Sequence, residues 1–233
     1  MSGGPGAIES NAAVRAAVMA RVRSALGVSD DRAAAQSAAA SRLAARPIGP
    51  RPLPAGDPIE RFAARALELS STVERLARVE QVPSAVARYL ESLDFAPALA
   101  AQRTRRGVCW PELGTLDWTG AGLEIEPRPA RGDDRLGVTG AFCAIAETGT
   151  LVLVTGAATP SSTMILPDTH IAVLRADRIV EGMEEAYALL RDERATMPRG
   201  VHFVSGPSRT GDIEQTIVLG AHGPFRVHVV VVD

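Results

Sequence analysis

The sequence predicts an α/β fold: an open, mostly parallel sheet flanked by helices, preceded by an N-terminal helical extension. Two observations carry this. Short apolar runs rich in Val and Ile recur in the second half, at residues 151–154, 171–174, 201–204 and 227–232, as buried strands require. Between them Val180, Met183, Tyr187 and Leu190 repeat at helical spacing, and strand–helix–strand order is the signature of parallel pairing.

The elements follow in order. Residues 1–6 are Gly-rich and are expected to be disordered. From Glu9 onward Val14, Val18, Val22 and Leu26 recur every four positions, which gives one apolar stripe on a helix that Gly27 stops. Residues 33–45 are rich in Ala and Ser and read as a second helix. Pro47, Pro50, Pro52, Pro54 and Pro58 then exclude both a helix and a sheet centre, so this stretch is a linker or a strap. The expected division is therefore an extension and linker over residues 1–56 and an α/β domain over residues 57–233. Within that domain Phe62, Ala66, Leu69, Val73 and Leu76 predict a helix over residues 59–79. A further helix is predicted over residues 84–93, with Pro83 near its start where proline is tolerated.

Composition narrows the chemistry. The 233 residues suit one α/β domain with an appendage, and with aromatics at 4 % the core must be built from Ala, Val, Leu and Ile. A net charge of −2 predicts neither a nucleic-acid surface nor an anionic-membrane surface. All 25 basic residues are Arg. Without Lys, Schiff-base chemistry, a pyridoxal-phosphate anchor and a phosphate-loop lysine are excluded. Cys109 and Cys143 are too few for an iron–sulfur centre held by this chain alone and suggest no disulfide scaffold. No apolar run is long enough for a signal peptide or a membrane span, so a cytoplasmic location is expected.

Three segments are candidates for chemistry. In Glu147-Thr148-Gly149-Thr150 a tight turn, with Gly149 able to take a positive φ, presses a carboxylate between two apolar runs. Glu147 reads either as a general acid/base or carboxylate nucleophile, or as a turn carboxylate that caps local N–H groups. In Ser205-Gly206-Pro207-Ser208-Arg209-Thr210-Gly211-Asp212-Ile213-Glu214 a Gly-containing loop leaves a strand and is expected to enter a helix. Backbone N–H groups, the hydroxyls of Ser205, Ser208 and Thr210, and the Arg209 fork would there favour an anion such as a carboxylate. The same residues also read as a helix cap. In Gly220-Ala221-His222-Gly223-Pro224, flanking glycines let His222 approach a ligand or a backbone carbonyl. His170, His202 and His228 lie on strand candidates without metal-ligand spacing and read as structural.

Taken in order, these segments resemble the lactate utilization protein C family, which carries the LUD domain. The likeness rests on Gly137-Val138-Thr139-Gly140-Ala141, Ala144 through Leu151, Leu166-Pro167-Asp168-Thr169-His170-Ile171, Ser205 through Glu214, Leu219 through Pro224 and the terminal Val-rich strand. Met164-Ile165 depart from the Ser-Leu step that the resemblance leads one to expect before Leu166-Pro167. The resemblance implies a fold similar to the CoA-transferase and ribose-5-phosphate isomerase group. It implies an accessory subunit of a system oxidising L-lactate to pyruvate, with the iron–sulfur clusters on partner subunits and no cofactor in this chain. Such a subunit would bind a small carboxylate or a partner segment near Glu147, Arg209 and His222. Two other readings stand beside it: a stand-alone acyl-CoA-type enzyme with Glu147 as nucleophile, and a non-catalytic metabolite sensor.

Overall fold

Valines crowd the end of the chain because the strand they form is covered on both sides. The computed structural model describes residues 11–27, 32–51, 56–93, 105–213 and 216–233. The expectations for residues 1–6, Pro52, Pro54 and Glu214 lie outside them. In chain order the elements are α1 (Asn11–Ala25), α2 (Arg32–Ala45), α3 (Pro58–Glu68), β1 (Thr72–Leu76), α4 (Val82–Ser92), β2 (Arg106–Cys109), β3 (Glu124–Glu126), β4 (Leu136–Gly140), β5 (Cys143–Ile145), β6 (Thr150–Val154), α5 (Ser162–Ile165), β7 (Thr169–Arg175), β8 (Ile179–Val180), α6 (Met183–Glu193), β9 (Val201–Val204), β10 (Arg209–Ile213), β11 (Thr216–Leu219) and β12 (Arg226–Val232).

The chain forms two compact units, Met1–Arg51 and Pro52–Asp233. The first holds α1 and α2, in which no residue is buried. Val14, Val18, Val22 and Leu26 form the expected stripe and are exposed, and Gly27 ends the helix at φ +61°.

The second unit is built on a six-stranded, wholly parallel sheet in the order β1-β12-β7-β4-β2-β3. Alternate residues of β12 serve opposite faces. Val230 and Val232 pack with Ile171, Val173 and Val138 under Val82, Ala85 and Val86 of α4. Val227, Val229 and Val231 pack with Ala172 and Leu174 under Phe62 and Ala66 of α3 and under Leu151 and Leu153. Burial on both faces explains why these strands read as continuous apolar runs.

Three expectations are corrected. The helix predicted over residues 59–79 ends at Glu68, and Thr72–Leu76 is a strand. Ser70 takes φ +67°, which breaks the helix between the two. Val73 and Leu76 are three apart, so they share a helix face but point to opposite sides of a strand. They join the two different core clusters accordingly. Second, the runs at 151–154 and 201–204 do not enter the parallel sheet. They form a separate sheet in the order β8-β5-β6-β9, where β6 runs antiparallel to both its neighbours. Its outer face carries Cys143, Ile145 and Val152 against Ala186 of α6. Third, the segment after Ser205 enters no helix: Arg209–Ile213 pairs antiparallel with Thr216–Leu219 as a hairpin.

Candidate functional site

The turn and loop residues singled out in the sequence gather largely around one place, the C-terminal end of α3. Gly149, at φ +63°, closes the β5–β6 turn so tightly on this helix that a Cβ there would lie 2.6 Å from the Ala66 amide nitrogen. Gly206, at φ +89°, lies against the Leu69 carbonyl. A run of hydroxyls joins them: Thr148 Oγ1 to Thr150 Oγ1 at 2.7 Å, and Thr150 Oγ1 to Ser205 Oγ at 2.8 Å. Arg209 donates to the Leu69 carbonyl at 3.0 Å and to Ser70 Oγ at 2.6 Å. Carbonyls at a helix C-terminus lack intrahelical donors, so Arg209 acts as a cap for α3. Thr210 is buried, and the Ser208 amide donates to the Pro224 carbonyl.

This corrects the anion-loop geometry. Without a helix after Gly211 there is no helix N-terminus to supply converging N–H groups. Because α3 runs directly into β1, its C-terminal end marks the N-terminal edge of the parallel sheet, opposite the edge where open α/β sheets take ligands. The Glu147 amide donates to the Glu181 carbonyl at 3.1 Å, and among the described residues no group donates to the Glu147 carboxylate. His222 is exposed, next to Gly223, which lies against Ser208.

The opposite edge holds a cavity of about 390 Å³ that the sequence reasoning missed. Trp110 and Ala141 extend the ladders of the adjacent strands β2 and β4, through Trp110 N–H to the Val138 carbonyl (3.0 Å) and Ala141 N–H to the Val173 carbonyl (2.9 Å). Arg175 ends β7 beside them. The walls are completed by Glu112, Phe142, Asp177, Arg178, Glu193 and Arg194.

Two of the arginines on this wall, Arg178 and Arg175, are held in place by paired hydrogen bonds. Arg178 donates Nε to the Phe142 carbonyl at 2.8 Å, its two terminal nitrogens to the two oxygens of Glu193, and lies over the Phe142 ring at 4.8 Å. Arg175 engages Asp177 in the same two-bond fashion. These bonds hold the Glu193 and Asp177 carboxyls below their ordinary range.

Glu112 differs. Among the described residues nothing donates to its carboxylate, which rests on Gly140: a Cβ on Gly140 would lie 2.0 Å from Glu112 Oε1. Although the residue keeps contact with solvent, partial desolvation pushes its pKa up. A carboxyl whose pKa is raised takes up a proton more readily, and once protonated it can both donate and accept, which suits proton transfer or recognition of an oxygen-rich ligand. Glu112 follows a short strand with no apolar run, and its partner Gly140 is remote in sequence. Only the Trp-Pro-Glu step at a strand end could have flagged it.

Cys109 and Cys143 are buried in different sheets, and burial raises each thiol to about 11. No group of three or more His, Cys, Asp or Glu side chains among the described residues is placed to hold a metal ion. Among the described residues no helix is long and apolar enough to cross a membrane.

Comparison with known proteins adds the following. The LUD domain profile matches residues 115–232. Lactate utilization protein C of Deinococcus radiodurans is 31 % identical over 194 residues, covering 78 % of this chain and 83 % of that protein. The proteins of the same name from Bacillus licheniformis and Bacillus subtilis are 35 % and 32 % identical over 130 and 128 residues, each match covering 53 % of both chains. The chain thus matches about half the length of these Bacillus relatives. A crystal structure of a DUF162 family protein from Deinococcus radiodurans superposes with a TM-score of 0.51 at 24 % identity, over 78 % of this chain and all of that one, and shows the same fold.

Proposed function

The chain belongs to the LUD domain family, and from that premise we propose that it serves lactate utilization as an accessory subunit of an iron–sulfur-dependent system oxidising L-lactate to pyruvate in the cytoplasm. The observation that carries this reading is the match over 83 % of the Deinococcus lactate utilization protein C, which spans both halves of that protein. The chemistry of the chain agrees with it. Removing two electrons from lactate needs a redox carrier, and a four-cysteine cluster cannot be ligated by two cysteines that are both buried as high-pKa thiols. On this reading the electrons pass to partner subunits, and this chain supplies recognition of a small carboxylate.

The test is an anaerobic pull-down of the tagged chain from its native organism, with iron content and lactate oxidation assayed on the eluate. Iron-containing partners with lactate-dependent activity are expected. An iron-free single chain that oxidises lactate unaided with a dye acceptor sinks the reading. Glu147 is tested in the same eluate: Glu147→Gln abolishes activity at unchanged melting temperature if this carboxylate meets the ligand. A loss of several degrees with activity retained assigns it to the turn.

A further inference from the structure

The strand-end cavity has a definite chemical preference. Its wall carries three guanidinium groups, Arg175, Arg178 and Arg194, and three carboxyls, Glu112, Asp177 and Glu193. Asp177 and Glu193 are committed to Arg175 and Arg178, yet each of these arginines retains N–H groups that the bonds do not engage. Three arginines face three carboxyls on this wall, so its charges balance, and uptake of a proton by Glu112 leaves one positive charge in excess, which suits a monoanion and not a polyphosphate. A planar carboxylate fits the remaining guanidinium donors. Among the described residues Glu112 has no ionic partner, and it lines the same space, so it favours a ligand with a second oxygen beside its carboxylate, either a hydroxyl or a carbonyl. Trp110, Phe142 and Val154 give an apolar side for a short alkyl group. A volume of about 390 Å³ is at the small end for ligand sites. The position, outside the carboxyl ends of the neighbouring strands β2, β4 and β7, is the place such sheets reserve for ligands.

We propose that this cavity binds a small 2-hydroxy- or 2-oxo-monocarboxylate, with Arg175 and Arg178 receiving the carboxylate and Glu112 hydrogen-bonding the adjacent oxygen. The inference rests on the lactate-utilization reading and adds to it the place and the groups of recognition.

Gly140 provides a gentle handle. A methyl group there collides with the far end of the Glu112 side chain, which is free to swing away, and otherwise approaches Trp110 no closer than 3.8 Å. Gly140→Ala therefore moves the carboxyl out of the cavity without removing it. The experiment is calorimetric titration of the full chain with L-lactate, pyruvate, acetate and inorganic phosphate, at pH 5 and pH 7. Lactate or pyruvate is expected to bind one to one, with acetate and phosphate at least about tenfold weaker. Affinity is expected to be higher at pH 5 than at pH 7, because the Glu112 pKa is raised by desolvation, so Glu112 takes up its proton before Asp177 and Glu193, whose pKa values are lowered. Glu112→Gln retains binding and loses the pH dependence. Glu112→Ala and Gly140→Ala weaken binding at least about tenfold at unchanged melting temperature.

Equal affinity in wild type, Glu112→Ala and Gly140→Ala overturns the proposal, as does tighter binding of phosphate than of either acid. So does absence of binding of both acids to the wild-type chain. The pull-down is run in parallel on wild type and Glu112→Ala. Iron-containing partners that co-purify while neither acid binds leave the accessory-subunit reading standing and the cavity inference refuted. Acid binding without partners gives the converse.

Discussion

Gly206 and Arg209 meet the same backbone oxygen, that of Leu69 at the end of α3. The first lacks the Cβ that would lie 2.3 Å from it, and the second donates to it at 3.0 Å. Because both meet one carbonyl, substitutions here separate a structural contribution from a ligand contribution. Gly206→Ala should destabilise the protein by about 2 kcal/mol or more, since it adds a positive-φ penalty of about 1–3 kcal/mol to a backbone collision. Arg209→Ala removes a partly solvated cap and should cost about 0.5–1.5 kcal/mol. Gly211→Ala has open space around its Cβ and no positive φ, so it should stay within about 0.5 kcal/mol of wild type. Urea denaturation of the three variants checks this order. A Gly206→Ala variant as stable as Gly211→Ala would show that the 205–209 segment does not seal α3. Binding of lactate or pyruvate should be the same in all three, because the strand-end cavity lies at the other edge of the sheet.

Elements differ in how far their sequence announces them. β7 and β12 are legible because both faces are covered, and a run such as Val229-Val230-Val231-Val232 has no other comfortable home. β2, β3 and β4 are not. Glu124-Ile125-Glu126 lies at the sheet edge with two exposed residues, and Gly137 and Gly140 interrupt β4 because the Thr163 carbonyl and the Glu112 carboxylate rest on them. The glycines that make the site possible are thus what hides the strand that carries it. β1 reads as helix because Val73 and Leu76, three apart, continue the helical period, and a strand buried on both faces accepts the same spacing; only the Ser70-Ser71 break distinguishes the two. α1 and α2 pose the opposite case: the first follows from the periodicity and the second from its Ala-rich composition, yet neither has a buried residue. All three core clusters consist of residues beyond Arg51. A chain lacking residues 1–51 should therefore unfold in one cooperative transition, with its denaturant midpoint within experimental error of the full chain. Loss of cooperativity or aggregation of the truncated chain at low concentration would assign α1 and α2 a share in the folding of the larger unit.

At the scale of the whole molecule, two buried histidines couple its stability to pH, one on each face of the central sheet. His170 is fully buried beside Thr139, bonded through Nε2 at 2.8 Å, with no partner for Nδ1 among the described residues. His228 stacks on Tyr89 of α4 at 4.0 Å and shares a hydrogen bond with Thr72 of β1, so it joins three elements. Desolvation lowers each to about 4, and for His228 the nearby Glu74 opposes the shift only in part. Both are therefore neutral in the folded protein while the unfolded chain takes up protons near pH 6.5. The unfolded state binds more protons between these values, so stability is complete above about pH 6.5 and falls steadily toward pH 4. At about 1.4 kcal/mol per pH unit for each histidine, the loss by pH 4.5 amounts to several kcal/mol. Asp134, Asp177 and Glu193, whose carboxyls are lowered by arginine partners, add to the loss only at more acid pH. Glu112 works in the opposite sense, since its raised pKa favours the folded state slightly as pH falls through the carboxylate range. Guanidinium denaturation at pH 7.0, 6.0 and 5.0 should show a monotonic fall, and salt at this concentration screens the surface ion pairs so that the buried pair dominates. His228→Gln should start less stable at pH 7, because the stack on Tyr89 is lost, yet fall less steeply toward pH 5. A wild-type profile that is flat between pH 7 and pH 5 would mean that the histidines accept protons in place, and that the sheet opens to water where the fold says it is closed.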